Sequence, residues 1–498
     1  MLTRRALVNL GLAALPGAAL GWPGRLFAGA GEPGVWVNDV HSQLNRTRVR
    51  RILRPSSLAG LQEAVRDARA SGEPLCIAGG RHAMGGQQFA QDAGLIDMRS
   101  MKRVLRFDAE AGLIEAEAGI EWPDLVDWLL AEQQGRARQW GIIQKQTGAD
   151  RLSLGGALAA NVHGRGLSFK PIIADVESFV LVDADGNPRI CSRTENPELF
   201  RLAIGGYGLF GIIAAVTLRL SLRQKLERVV EITTVERAIS AIDQRIGEGY
   251  LYGDFQFSTD ARSDGFLRDG VFSAYRPVPP ETPVPAARRE LSAEDWQQLL
   301  LLGHADKARA FEVYSSFYAA TSGQIYWSDT HQMSVYIDDY HRSLDRQLGA
   351  AHPASEMITE VYVPREALAA FFDDLRGDFR THAVDLIYGT IRFIEQDDES
   401  FLPWARERYV CTVMNLHTVH TEDGVRKAAQ DFRRIIDRAI RYGGSYFLTY
   451  HRWAERLQVE ACYPRFVEFL RLKRRYDPGG CFQSDWYRHY AAMFADEL

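Results

Sequence analysis

From residue 48 onward, apolar and polar positions fall into short regular runs. Leu58, Leu61, Val65 and Ala68 share one helical face between Ser57 and Gly72, so the pattern predicts a helix opened by serine and stopped by glycine. The apolar run 75–78 predicts a short strand and leads into a glycine-rich turn from Gly79 to Gly86. Runs at 95–98, 103–107 and 112–118 predict further strands, and Pro123 starts a helix through Leu130. Two more runs, 179–183 and 188–191, flank Asp185-Gly186-Asn187 and predict a hairpin. Asn196 then caps a helix with Pro197 in its first turn. The result is an α+β unit, not a long alternation of strand and helix.

Beyond residue 222 the pattern weakens. The segment 222–330 is rich in Asp and Arg and shows no clear motif, and the prolines from Pro277 to Pro285 predict a surface loop. Aromatic strand-like runs follow at 325–327, 333–337 and 360–363, with amphipathic helices at 365–375 and 425–441. The chain has 498 residues and a net charge of −5 with both signs interspersed, which excludes the basic stripe of a nucleic-acid binder. Its 5 cysteines form no CxxC pair, so zinc-ribbon and disulfide-scaffold folds fall away. His417 and His420 have no third ligand near them in sequence, and we expect no metal. No Gly-x-Ser-x-Gly elbow suggests a hydrolase.

The first thirty residues differ from the rest. Arg4 and Arg5 precede an apolar run from Ala6 to Leu20, too short for a bilayer core of about 30 Å, and Ala28-Gly29-Ala30 offers a cleavage site. This resembles a twin-arginine signal, which implies export of a folded protein to the periplasm or beyond. No other stretch is long and apolar enough to span a membrane, so no integral membrane span is expected.

Gly206, Gly208 and Gly211 fit Gly-x-Gly-x-x-Gly, but a helix precedes them and a strand-like run from Ile212 follows. That inverts the order a dinucleotide fingerprint needs. The turn at 79–86 is more informative. Consecutive glycines after a strand let backbone N–H groups approach phosphate oxygens, and His82 sits at the tip. A second glycine-rich stretch runs from Thr147 to Gly164.

Taken in order, the segments around 55–101, 152–186 and 199–213 resemble the flavin domain of the vanillyl-alcohol oxidase/p-cresol methylhydroxylase (PCMH-type) superfamily over residues 48–222. The nearest groups are aldonolactone and alditol oxidases, decaprenylphosphoryl-ribose oxidase and cytokinin dehydrogenases. The resemblance implies an α+β fold, a PCMH-type two-part FAD-binding domain plus an α+β substrate (cap) domain with an antiparallel sheet. It divides the chain into a signal at 1–30, the flavin domain at 48–222, the cap at 223–440 and a segment at 441–498 that returns to the flavin. It also implies FAD bound covalently through His82. Gly79, Gly80, Arg81, Ala83 and Gln87 match the first FAD turn, and Ser153, Gly155, Gly156, Ala159, Asn161, His163 and Gly164 match the second. Ile212 and Ile213 match the strand beside the adenine, and Phe447 joins the cofactor set. No cysteine stands in the second loop, which excludes the bicovalent subgroup.

The C-terminal half resembles the sugar oxidases in the runs 389–407 and 443–486. Arg392 matches an arginine that holds hydroxylated substrates, but Thr390 replaces the glutamate of that motif. Tyr450 and His451 stand where relatives carry a lysine, and Asn415 and His417 lie on a further active-site strand. The implied activity is oxidation of a CH–OH group in a small sugar, polyol or lactone, by hydride transfer to flavin N5. Tyr450 and His451 are the candidate bases, Arg392 the substrate anchor, and Asn415 or His417 a hydrogen-bonding partner. Dioxygen, a quinone or a cytochrome would take the electrons. Amine oxidation of the cytokinin-dehydrogenase type and a non-catalytic secreted flavoprotein are the alternatives.

Overall fold

The computed structural model describes residues 34–498 apart from 287, 335, 336 and 338. The twin-arginine reading at 1–30 lies outside the described residues.

Strand Ile212–Leu222 is almost wholly buried, because its β-branched and alanine side chains suit a two-sided apolar setting. It forms the axis of a six-stranded sheet, with Leu113–Glu117 on one flank and Val176–Val182 on the other. The predicted hairpin completes one edge, pairing Val176–Val182 with Pro188–Ser192 in antiparallel register. A separate three-stranded sheet is parallel, in the order Arg51–Leu53, Gly94–Asp97, Leu75–Ala78. Parallel strands need a crossover, and helix Leu58–Ser71 supplies it between the first and the last. Ser57 caps that helix through Gly60 N–H, and Gly72 ends it with φ +68°, as the sequence predicts.

The motif-poor segment 222–330 turns out to be highly ordered. It contributes strands Lys225–Thr234, Tyr252–Phe257, Asp269–Pro277 and Ile325–Trp327 to an eight-stranded sheet. Leu386–Ile394, Tyr409–Val419, Ala354–Pro364 and Ser445–Tyr446 complete it, all antiparallel. The fold is therefore α+β with antiparallel sheets dominant. Helix Glu422–Arg441 lays a stripe of Phe432, Ile435, Ile436 and Ala439 against this sheet.

Three local expectations change. Asn196 begins helix Pro197–Ala203 but does not cap it through its side chain, which instead donates to the Ile190 carbonyl at 2.7 Å. Residues 365–375 open as a 3₁₀ turn, and the α-helix proper runs Leu368–Thr381. Met333 and Ser334 lie outside any strand, so the described part of the run 333–337 is not extended as expected.

The C-terminal segment stitches the sheets together. Ser445–Tyr446 pairs with Ala354–Pro364, and further on the Leu75 N–H donates to the Cys481 carbonyl at 2.7 Å. Phe482 enters the core of the parallel sheet beside Leu61, Val65 and Ile96. Phe482→Ala should cost about 3–5 kcal/mol, read as a lowered urea midpoint. A midpoint within about 1 kcal/mol of the parent would show that this stitch carries no load.

Candidate active site

A cavity of about 850 Å³ opens among the three sheets. One wall is the turn after Leu75–Ala78, through Gly79, Gly80, Arg81, His82, Ala83 and Gln87. The second is the start of helix Leu154–Ala160, with Ser153, Gly155, Gly156 and Ala159, continued by His163. Ile212, Ile213 and Phe447 close the apolar side. Facing them from the eight-stranded sheet are Arg392 and Asn415, with Tyr450 from the loop after Ser445–Tyr446.

The two glycine turns are in direct contact. A Cβ on Gly79 would run into the Ser153 side chain, whose hydroxyl caps helix Leu154–Ala160 by accepting from the Gly156 N–H at 3.3 Å. Gln87 ties the first turn to the C-terminal segment, donating to the Leu448 carbonyl at 2.8 Å. His82 is partly exposed, with Nδ1 2.8 Å from His41 Nε2 and Nε2 3.0 Å from the Arg151 carbonyl. Burial, reinforced by nearby His341, lowers the pKa of His41 to about 4, so the His41 ring is neutral near pH 7.

Four of the residues matched from sequence do not line the cavity. Asn161 ends helix Leu154–Ala160 in the left-handed region, and its amide bonds Asp397 at 2.8 Å. The Gly164 N–H donates to Gln144. His451 is packed edge-on against Phe432, with ring centroids 4.0 Å apart, and accepts the Trp453 N–H at 3.1 Å. Burial, then Arg433, drops its pKa to about 3. A neutral imidazole held there cannot reach a substrate in the cavity. His417 faces His304 instead, with centroids 5.0 Å apart.

The residue missed from sequence is Glu360. Its carboxylate is buried at the cavity wall, 2.6 Å from both His163 Nε2 and the Tyr362 hydroxyl. Tyr450 donates to its other oxygen at 3.0 Å, and Cys411 to the first at 3.1 Å. His163 Nδ1 meets the Gly164 carbonyl at 2.9 Å. Burial alone would raise the Glu360 pKa. The His163 charge and the hydrogen bonds from His163 and Tyr362 outweigh it, bringing the value to about 2. Burial, then Glu360, pushes the Tyr450 phenol well above its ordinary value, so it stays protonated near neutrality.

Arg392 is buried with Nε unpartnered, while Asp397 and Asp398, its neighbours in sequence, bond Asn161 and Lys170. The Thr390 hydroxyl donates to the Phe255 carbonyl at 3.3 Å. The adjacent strand Tyr252–Phe257 pairs Phe255 with Ile391 and Gln256 with Thr390. Asp254 lines the cavity. Its carboxylate lies 3.5 Å from Arg165 Nη1.

Residues 49–192 match the family model described as an FAD binding domain. The chain is 30% identical to an uncharacterised oxidoreductase of the fasciation locus of Rhodococcoides fascians, over 46% of this chain and 51% of that one. It is also 30% identical to mitochondrial L-galactono-1,4-lactone dehydrogenase 1 of Oryza sativa subsp. japonica, over 40% of this chain and 33% of the relative. An L-gulono-1,4-lactone dehydrogenase of Mycobacterium tuberculosis is 24% identical over 88% of this chain and 95% of its own length. The chain spans about half the length of the first relative and a third of the second. It therefore carries an FAD-binding domain, and its resemblance to the aldonolactone-type FAD-linked oxidases is borne out by the names of these relatives.

The cavity suits that cofactor. Among its lining residues, Arg81 Nε, Gln88 Oε1 and Thr147 Oγ1 are buried without a hydrogen-bond partner. Such donors and acceptors, beside glycine turns and an apolar wall, match a ligand with phosphate oxygens and a flat heteroaromatic ring.

Two outcomes follow from these contacts. Gly79→Ala should weaken flavin retention at least about tenfold, read by fluorescence titration with FAD, because Ser153 must move. The folded-state pKa of Glu360 lies below its ordinary 4.5, so its contribution to stability is present above pH 4.5 and lost as pH falls through about 2. Acid unfolding of Glu360→Gln should be flatter across that window; a slope equal to the parent's would remove the network from the account.

Proposed function

We propose that the chain is an FAD-dependent oxidoreductase that oxidises a CH–OH group of a sugar lactone, sugar or polyol. The observation that carries this is the cavity itself, in which an FAD-type pair of glycine turns faces Arg392, Tyr450 and Glu360. Similarity to proteins named as lactone dehydrogenases and oxidases supports the lactone end of that range. When bound, FAD supplies the hydride acceptor.

The chain's own residues handle charge and protons. Arg392 and Asp254 hold substrate oxygens, the guanidinium offering several fixed donors and the carboxylate accepting from hydroxyls. Asn415 steadies the reacting group. Tyr450, held by its hydrogen bond to Glu360, receives the hydrogen bond of the substrate hydroxyl and, with that carboxylate behind it, orients and polarises the hydroxyl as its proton leaves. His451 is not the base, since that ring lies outside the cavity.

We read the fold as the PCMH-type two-part flavin domain with a cap, bounded as the sequence suggests at 48–222, 223–440 and 441–498. His82 is the tether to the flavin ring methyl. The electron acceptor is dioxygen, a quinone or a cytochrome; Ala159 at the cavity wall keeps one side small. The paired arginines near the N-terminus support export by the twin-arginine route, and no helix among the described residues is long and apolar enough to cross a membrane.

Screening aldonolactones, sugars, alditols and amines with an artificial acceptor should give turnover on a CH–OH donor. Turnover confined to amines would overturn the assignment. Tyr450→Phe should lower kcat by about 10²-fold or more with KM little changed. Parent protein should show flavin fluorescence in a denaturing gel, and His82→Ala should not; fluorescence retained in that variant would place the tether elsewhere.

A further inference from the structure

A second group of ionisable side chains, of which Glu356 lines the cavity, lies apart from the Glu360 network. Glu356 and His417 are directly opposed across strands Ala354–Pro364 and Tyr409–Val419, so their side chains emerge on one face. His304 reaches the same point from the last turn of helix Ala293–Ala305, with Nε2 3.0 Å from Glu356 Oε1. One ligand atom from each of the three lies within 4.8 Å of the others. Glu356 is 4% exposed, and neither of its carboxylate oxygens has a hydrogen-bond partner that satisfies the geometry. His304 Nε2 and His417 Nδ1 are buried in the same condition. A carboxylate so placed is costly unless something meets it.

The surroundings look built for coordination. His304 Nδ1 sits 2.9 Å from the Leu300 carbonyl, which orients the ring so that Nε2 faces Glu356. This is the outer support that metal-bound imidazoles usually have. His341 Nδ1 stands 3.6 Å from the second Glu356 oxygen. His420, adjacent in sequence, is engaged elsewhere, 2.9 Å from the Ser355 hydroxyl. The group's members come from positions 304, 356 and 417, so no local spacing in the sequence marks them.

We propose that His304, Glu356 and His417 form a site for a divalent transition-metal ion of the zinc class. Two imidazoles and one carboxylate suit such an ion, and Glu356 borders the cavity, so a fourth position can take water or a ligand oxygen. Ligands at about 2.1 Å from zinc in tetrahedral array stand about 3.4 Å apart, so the three side chains need only draw in slightly. The site does not rest on the oxidoreductase reading.

The test uses the full-length flavoprotein, stripped by chelator dialysis and titrated with ZnCl2 by calorimetry. The expected result is saturable binding of a single equivalent, weakened at least about 100-fold in Glu356→Gln and in His417→Asn. X-ray absorption on zinc-loaded parent protein reads the ligand set without reliance on any variant's folding. Two imidazoles with oxygen at about 2.0–2.2 Å support the site. A sulfur ligand would shift the metal to His163, Glu360 and Cys411 and overturn the proposal. So would absence of saturable binding, which would leave His304 and Glu356 as a simple ion pair.

Discussion

The close approach of two glycine turns is the constraint on which the rest depends. Gly79 follows strand Leu75–Ala78 and Ser153 opens helix Leu154–Ala160, and their contact leaves no room for a Cβ. Because Ser153 also caps helix Leu154–Ala160, the position of that helix is set by the same contact. The cavity takes its depth from this junction, and the C-terminal segment holds it closed through Gln87 and Leu448. A side chain at position 79 would therefore alter the fold and the cofactor cleft together.

Opposite that junction, charge is handled by enclosure. Glu360 is surrounded by His163, Tyr362, Tyr450 and Cys411, so a carboxylate removed from water stays ionised. Isolated, it would be neutral. The arrangement gives Tyr450 an acceptor already in place behind it, while Tyr450 itself stays a phenol. Arg392 adds a positive charge nearby that lowers the cost of ionisation further. Such a preorganised pair of opposite charges costs little rearrangement when a hydroxyl gives up its proton.

Much of the first half was legible from sequence because its signals are local. The helix after Ser57 and the hairpin at 179–191 rest on capping, periodicity and turn residues close together in the chain. The eight-stranded sheet was not legible. Tyr252–Phe257 alternates Asp254 and Gln256 with aromatics, which reads as a half-exposed strand or loop although both polar residues face a cavity. Glu360 was missed for a related reason. Ala354–Pro364 is buried on both faces, so an inward acid interrupts no visible alternation. His451 was misjudged because adjacency to Tyr450 says nothing of facing, and residues next to each other on an irregular loop point apart.

The claim that supports all others is that the cavity between the two turns holds FAD. The visible absorption spectrum of the purified full-length chain tests it most directly, before and after incubation with excess cofactor. The account predicts the two-banded absorption of an oxidised flavin at a ratio of one per chain. A colourless protein that stays colourless with added FAD would contradict it.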